Sequence, residues 1–532
     1  MTGVSKRRRA AVAAAAALAL AGCATTTPKT VDLLIAGGTV IDGTGAPARR
    51  ADVGVRGDRI VFVGDARRKR VVAARTVDAS GLIVAPGFID PHTHSGSDLR
   101  SDDPKERAAL NHLTQGVTTV FIGNDGDGSP AVADTLSQAE AGGIGVNVAS
   151  FVGFGAVRRQ VVGDADRAPT ADELQRMKRL VADGMCQGAL GFSAGLYYAP
   201  QSYAKTDEVV ALAREAAARG GLYETHLRSE GTDNVGLIAA VEEALTVGRE
   251  ARLPVHFAHI KAQGHEMHGR SGEVIARIEA ERAAGRRVTA DQYPWSASGT
   301  RVSNALVPRW AMDGGEAALK ARLADPALRE RLRADMAANL HRRGGAGSLL
   351  ITSGPHAGKR LEAVASGWNV DPLEAAIRIV RDEGDARVAS FNMSEADIRD
   401  FAGREWVVSS SDATAGHPRK YGSFPLRWRK FVRETPVMTP EQFVRRSSGL
   451  TADIFGLTDR GYLRPGAFAD VAVFDPERLA ARADYENPTR LSEGVVHVLV
   501  NGRAAVEDGR PADPAAGRAL RKPARADWDC PA

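Results

Sequence analysis

Three observations predict an α/β fold, a (β/α)8 TIM barrel with a small β-sandwich domain formed from both chain ends. Eight short apolar runs alternate with helical stretches between residues 82 and 410, the βα pattern of a parallel sheet. Both ends of the sequence carry short alternating runs with hairpin turns, which suggests that they pair with each other. Histidine and aspartate residues fall just after several of the apolar runs, at the strand ends where barrels keep their chemistry.

The first thirty residues stand apart from this fold. Lys6-Arg7-Arg8-Arg9 precedes an Ala-rich apolar run from Ala10 to Leu20, and Leu20-Ala21-Gly22-Cys23 follows. The pattern reads as an export signal, and the run is shorter than the roughly 20 residues that span a bilayer. It resembles a bacterial lipoprotein signal. That resemblance implies a signal over 1–23 with Cys23 lipidated, and a protein exported and lipid-anchored in the bacterial cell envelope, facing the periplasm. Ordinary cleavage near Ala24 is the alternative.

The sandwich is expected over 31–84 and again over 436–510. Leu33-Leu34-Ile35 turns through Gly37-Gly38 into Val40-Ile41, and the runs Val53-Gly54-Val55 and Ile60-Val61-Phe62-Val63 flank a turn at Arg56-Gly57-Asp58. Near the other end, Ala469 to Phe474 alternates with period two, and Val495 to Val500 runs into Asn501-Gly502, a strong hairpin signal.

The barrel is expected over 85–435, with strands at 82–89, 117–123, 145–152, 188–194, 221–226, 254–260, 287–293 and 405–410. Thr170-Ala171-Asp172-Glu173 reads as a capping box that opens a helix. Helices over 207–219 and 273–284 end at Gly220-Gly221 and Gly285. An insertion over 296–403 is too long to be structureless. Its segment 316–342 is rich in Ala, Leu and Arg and is expected to be helical, capping the site. The tail over 511–532 is expected to be loosely ordered.

Composition narrows the class. With 43% hydrophobic and 25% charged residues and a net charge of +5, the chain reads as an ordinary globular protein. No basic stripe interleaved with aromatics appears, so nucleic acid is not an expected partner. Three cysteines, Cys23, Cys186 and Cys530, are too few for a disulfide framework; Cys186 is expected to be buried packing.

His92 and His94 follow the first barrel strand. Two residues apart in extended chain, their side chains share a face and can reach one metal. Asp125 follows the second strand, His226 ends the fifth, His259 lies near the end of the sixth, and Asp412 follows the eighth. A lone His-x-His is weak evidence, and a single strand-end His is more often a packed core residue. The joint placement of four histidines and two carboxylates carries the metal reading, and the donor set suits zinc and its neighbours.

These residues sit within longer motifs: Pro86-Gly87-Phe88-Ile89-Asp90-Pro91-His92-Thr93-His94, Gly188 to Leu196, Thr225-His226-Leu227-Arg228-Ser229-Glu230, His259-Ile260-Lys261, Ala290 to Trp295, Ser410-Ser411-Asp412 and His417-Pro418-Arg419. By them the chain resembles the amidohydrolase superfamily, in its N-acyl-D-amino-acid deacylase (D-aminoacylase) group, from about Val31 to Asp508. The resemblance implies hydrolysis of the linear amide of an N-acyl-D-amino acid or small D-residue-containing peptide. It implies Zn2+, with one tight ion on His226 and His259 and a second, weaker divalent site at His92, His94 and Asp412. Asp412 is implied as the proton shuttle. Asp125 stands in Gly123-Asn124-Asp125-Gly126 where many members have a bridging cysteine, a harder ligand than sulfur. Lys261, Tyr293 and Arg419 are implied as the clamp on the substrate carboxylate, with Arg228 beside Glu230 supporting His226 and contacting substrate. Two other readings differ in what they require. A cyclic amidase of the hydantoinase or dihydroorotase kind would commonly use a lysine after the fourth strand, and 188–196 has none. A periplasmic binding protein on an inactive scaffold would need no proton shuttle.

Overall fold

The alternating runs at both ends form strands because each presents one apolar and one polar face. In the computed structural model, which describes residues 29–530, strands Thr30–Val40, Arg49–Arg56, Arg59–Gly64, Val72–Asp78 and Ile83–Pro86 share one nine-stranded sheet with Val471–Phe474, Val495–Val500, Arg503–Glu507 and Arg510–Pro511. The export-signal reading and Cys23 lie outside the described residues. The chain ends meet along an antiparallel seam, with Val471 opposite Pro86 and Phe474 opposite Ile83. The hairpin at Arg56-Gly57-Asp58 forms, with Val55 opposite Ile60. At Asn501-Gly502 both residues have positive φ, 51° and 78°, as a two-residue hairpin turn requires.

Eight strand positions build the middle of the chain: β1 Phe88–Asp90, β2 Val117–Ile122, β3 Asn147–Ser150 (continuing as Val152–Gly153), β4 Phe192–Gly195, β5 Tyr223–His226, β6 Val255–Phe257, β7 Val288–Gln292 and β8 Val407–Ser409. All their pairings are parallel. β1 to β3 form one sheet; β4 to β8 with Val152–Gly153 form another. The two sheets touch at both edges. β3 runs through Phe151 from one into the other, and past β8 Thr93 bridges Ala413, where Asp412 N donates to His92 O (2.9 Å) and His94 N to Ala413 O (3.0 Å).

The run expected as one strand over 82–89 belongs to two sheets. Pro86 has no N–H to continue a ladder; Gly87 N donates to Asp470 O (2.9 Å), and Phe88 N turns to Gly116 O (2.9 Å). This junction ties the end sheet to the middle of the chain, and a buried polar network reinforces it. Asp470 pairs with Arg460, accepts from Asn501 N (2.7 Å) and accepts from Asn147 Nδ2 on β3 (3.3 Å).

The insertion between β7 and β8 folds around its own apolar cluster, which includes Leu306, Leu319, Leu332, Met336, Ile351 and Ile379. Its strands Ala297–Arg301, Leu349–Ile351 and Arg387–Phe391 form an antiparallel sheet. The helix expected over 316–342 is two helices, Gly315–Ala324 and Arg329–Arg342. Pro326 lies between them, and a proline disfavours helical backbone at the residue before it. The capping box forms as read from sequence: Glu173 N donates to Thr170 Oγ1 (3.2 Å) and Thr170 N to Glu173 Oε2 (2.8 Å).

The tail differs most from expectation. Polar and proline-rich, it looks loose as sequence, yet it runs along the outside of the strand layer. Val148 N donates to Arg518 O (3.0 Å), Leu520 N to Val148 O (2.7 Å) and Lys522 N to Gly188 O (3.0 Å). Cys186, expected to be buried packing, is partly exposed and forms a disulfide with Cys530, 344 residues away. The cross-link closes a long loop, and such links stabilise by about 2–4 kcal/mol. Reduction, or Cys530→Ser, should lower the melting temperature and open tryptic cleavage after Arg521 and Arg525, both read by calorimetry and mass spectrometry of the digest. An oxidised protein cut at those sites as fast as the reduced one would show that the bond does not hold the tail.

Candidate metal centre

The strand ends bring the six expected ligands to one place. Asp125 Oδ1 lies 3.5 Å from His92 Nε2 and 3.6 Å from His259 Nε2; its Oδ2 lies 3.5 Å from His94 Nε2 and 3.7 Å from His226 Nδ1. Asp412 Oδ1 completes the group, 3.2 Å from His94 Nε2 and 3.8 Å from His92 Nε2. His226 Nδ1 and His259 Nε2 face each other at 2.9 Å. Three overlapping triads have ligand atoms within 4.8 Å of one another: His92, His94 and Asp125; Asp125, His226 and His259; His92, His259 and Asp412.

Local backbone aims these groups inward. Asp125, His259 and Asp412 all have left-handed φ, 57°, 32° and 48°, uncommon for residues with a side chain. The expected strand over 254–260 therefore stops at Phe257, and His259 turns into the centre. Such conformations cost about 1–3 kcal/mol each and persist only where surroundings fix them. At Asp125 the fixing is visible: Gln201 Nε2 donates to Asp125 O (2.8 Å) while Gln201 Oε1 accepts from Gly195 N (2.7 Å). A Cβ on Gly126 would meet Gln201 Oε1 at 2.1 Å, so the turn admits no side chain there.

Behind the ligands lies a second layer of buried carboxylates. Glu224 Oε1 lies 3.1 Å from His92 Nδ1, and Glu224 Oε2 accepts from Asp125 N (3.3 Å). Asp291 accepts from His259 N (3.0 Å), Ser410 Oγ (2.5 Å) and His256 Nε2 (3.1 Å). Asp90 accepts from Ser411 N (3.0 Å) and Ser411 Oγ; burial pushes its carboxyl up to about 7 against those bonds. Burial opposes charge on His92 and His94, but facing carboxylates, led by Asp125, outweigh it and raise both rings, His94 to about 9. His226 goes the other way, lowered first by burial.

This balance decides what the centre can hold. Two acids have cationic partners: Glu230 with Lys261 (2.5 Å) and Asp412 with Arg419 (2.8 Å). Asp125, Glu224 and Asp291 are buried facing only imidazoles and neutral donors, a surplus of negative charge that burial penalises. His92 Nε2 and Asp125 Oδ1 are buried without a hydrogen bond. A divalent cation fits both facts, and imidazole plus carboxylate is a donor set that zinc accepts.

The expected substrate residues part company. Lys261, Tyr293 and Arg419 line the pocket over the centre, and Tyr293 Oη has no hydrogen-bond partner. Arg228 does not line it. Its guanidinium gives four of its five N–H donors to Glu243 (2.8 Å to each oxygen), Ser202 O (3.0 Å) and Ala204 O (2.9 Å), so it braces the loop after β5. Glu230 pairs with Lys261 rather than with Arg228; adjacency in sequence misled because the two side chains leave the loop in different directions. Asp291 and Asp90 stand inside the quoted motifs and Glu224 directly precedes one, and none of the three has a role from sequence alone. Tyr197, Tyr198, Gln263 and Arg343 also line the pocket, and nothing in their sequence context marks them.

The chain is similar to known proteins over most of its length. The amidohydrolase family pattern matches residues 75–300 and 406–506. The N-acyl-D-glutamate deacylase of Alcaligenes xylosoxydans xylosoxydans is 36% identical over 524 residues, covering 93% of this chain and 97% of the relative. The N-acyl-D-glutamate deacylase of Bordetella bronchiseptica, solved with zinc and a phosphonate mimic of the tetrahedral intermediate, is 34% identical with a TM-score of 0.78, covering 93% of this chain and all of that one. A D-aminoacylase with a binuclear metal centre, described by one-metal activation and second-metal attenuation, is 33% identical with a TM-score of 0.78, covering 92% and 100%.

Because Asp125 touches all four imidazoles, Asp125→Ala should remove more bound metal than loss of any single histidine. Metal retained after dialysis, measured by mass spectrometry, should fall at least tenfold, since losing even a partner behind a ligand typically costs about 10–100-fold in affinity. Unchanged retention would show that Asp125 is only a turn residue.

Proposed function

The chain belongs to the amidohydrolase family, and on that premise we propose that it is a zinc-dependent hydrolase of linear amides, releasing a carboxylate and a free D-amino acid from N-acyl-D-amino acids or small D-residue-containing peptides. The observation that carries this is the convergence of four imidazoles and two carboxylates on one pocket, with Asp412 standing between His94 and Arg419. The eight parallel strand positions that touch at both edges support reading the middle of the chain as a closed (β/α)8 barrel, and the shared end sheet supports a small β domain built from both ends.

His226, His259 and Asp125 would hold one ion; His92, His94 and Asp412, whose Oδ1 is 3.2 Å from His94 Nε2 and 3.8 Å from His92 Nε2, would line a second, weaker position that Asp125 also faces. Bound zinc supplies Lewis acidity toward water and the amide carbonyl. Asp412 takes the proton of the attacking water and passes it to the leaving nitrogen as the C–N bond breaks. Arg419 fixes the shuttle's far oxygen. Tyr293 Oη is free to donate to the substrate carboxylate, while Lys261, already paired with Glu230, adds positive charge behind it.

The cyclic-amidase alternative lacks its lysine in the segment 188–196, and a binding protein has no use for the Asp412 arrangement. Export with a lipid anchor on Cys23 is part of the proposal. The Cys186–Cys530 bond supports an oxidising compartment, and among the described residues no helix is long and apolar enough to cross a membrane.

A hydrolysis screen of N-acetyl-D- and N-acetyl-L-amino acids with zinc-loaded protein tests the reading. Turnover of D substrates is expected; turnover of only L substrates, or only of cyclic amides, overturns it. In Asp412→Asn, kcat should fall by about 100-fold or more while the tight ion on Asp125, His226 and His259 is retained after dialysis. Full turnover in that variant would remove Asp412 from its role.

A further inference from the structure

Three cations line the pocket over the metal centre: Lys261, Arg419 and Arg343. The first two are paired with Glu230 and Asp412. Arg343 is 7% exposed and, among the described residues, has no carboxylate within ion-pair distance. Its Nε donates to Ala305 O (3.1 Å) and its Nη2 to Tyr197 Oη (2.8 Å), both uncharged acceptors. Its Nη1 is buried with no partner at all. A guanidinium out of water without a counter-ion is costly, by several kcal/mol per ion, and its fork of N–H donors matches a carboxylate.

The position of Arg343 says which part of a ligand would meet it. It caps the helix Arg329–Arg342 of the insertion, on the pocket wall contributed by that unit. With Tyr197 and Gln263 it is shared between the catalytic pocket, about 30 Å³, and an adjoining cavity of about 530 Å³. The two acids lining the outer cavity are engaged elsewhere: Asp233 accepts from Ser229 Oγ (2.9 Å) and Asp335 from Trp310 Nε1 (2.8 Å). Tyr293 and Arg419 form a different part of the wall, where the Arg419 guanidinium lies over the Tyr293 ring at 4.8 Å.

We propose that Arg343 is a specificity-determining residue that supplies the counter-charge for a second carboxylate, so that the preferred substrates are N-acyl-D-amino acids with an acidic side chain. This rests on the amidohydrolase reading of the site. The α-carboxylate meets Tyr293 and Arg419, the scissile amide lies over the metal centre, and the side-chain carboxylate reaches Nη1 of Arg343 at the mouth of the outer cavity.

The test compares kcat/KM for N-acetyl-D-glutamate and N-acetyl-D-aspartate with that for N-acetyl-D-leucine and N-acetyl-D-methionine, in zinc-loaded wild type, Arg343→Met and Arg343→Lys. Wild type should favour the acidic pair at least tenfold. Arg343→Met should lower that ratio at least tenfold through KM, and Arg343→Lys should fall between. A wild-type preference for the neutral pair, or equal loss on both pairs in Arg343→Met, overturns the inference and leaves the amide-hydrolase reading standing. If wild type hydrolyses none of the four, that reading fails instead. Arg343 is then judged by whether N-acetyl-D-glutamate raises the melting temperature of wild type more than that of Arg343→Met, and equal shifts overturn it.

Discussion

Asp125 lies within 3.5–3.7 Å of a nitrogen from each of the four site imidazoles, and the surrounding architecture exists to keep that one carboxylate in place away from water. The turn Gly123 to Gly126 needs left-handed backbone at three of its four residues, Gly123, Asp125 and Gly126. Gln201 grips it from the loop after β4, and Glu224 on β5 accepts its N–H. An acid so placed would be expelled or neutralised unless positive charge met it. The histidines, the second layer and the cation that fits between them are one electrostatic arrangement.

Much of this could be read from the sequence. His92 and His94 were recognisable because period-two spacing after an apolar run puts two rings on one face, and the strand-end positions of Asp125, His226, His259 and Asp412 follow from the βα rhythm. Asp90 and Asp291 are in plain view within the same motifs, and Glu224 directly precedes one of them. Their roles depend on partners 30 to 320 residues distant, such as Ser411 for Asp90, and no local pattern encodes those.

Other features were misread for definable reasons. Arg228 looks like a site residue because it follows His226 by two, yet four of its five N–H donors go to Glu243 and two carbonyls, and it lies off the pocket over the centre. The tail looked loose because composition reports hydrophobicity and not backbone pairing, and its hold on Val148 and Gly188 is made almost wholly of main-chain bonds. The helix over 316–342 was one in periodicity and two in space because Pro326 interrupts it. Arg343 carries no sequence signal: it is one of many arginines in an Ala-rich segment, and only burial beside the pocket without a carboxylate partner sets it apart.

The Cys186–Cys530 bond joins residues separated by 344 positions, and β4 to β8, the whole insertion and one side of the end-sheet seam lie within that span. The cross-link therefore cannot form until nearly all of the described chain has been synthesised and the sheet seam has brought the tail to the β3–β4 edge. A chain that folded among reducing thiols would reach the same strand layer with its tail unfastened. The state of one bond thus records where the polypeptide matured, and non-reducing electrophoresis could read that history from material purified from each cell fraction.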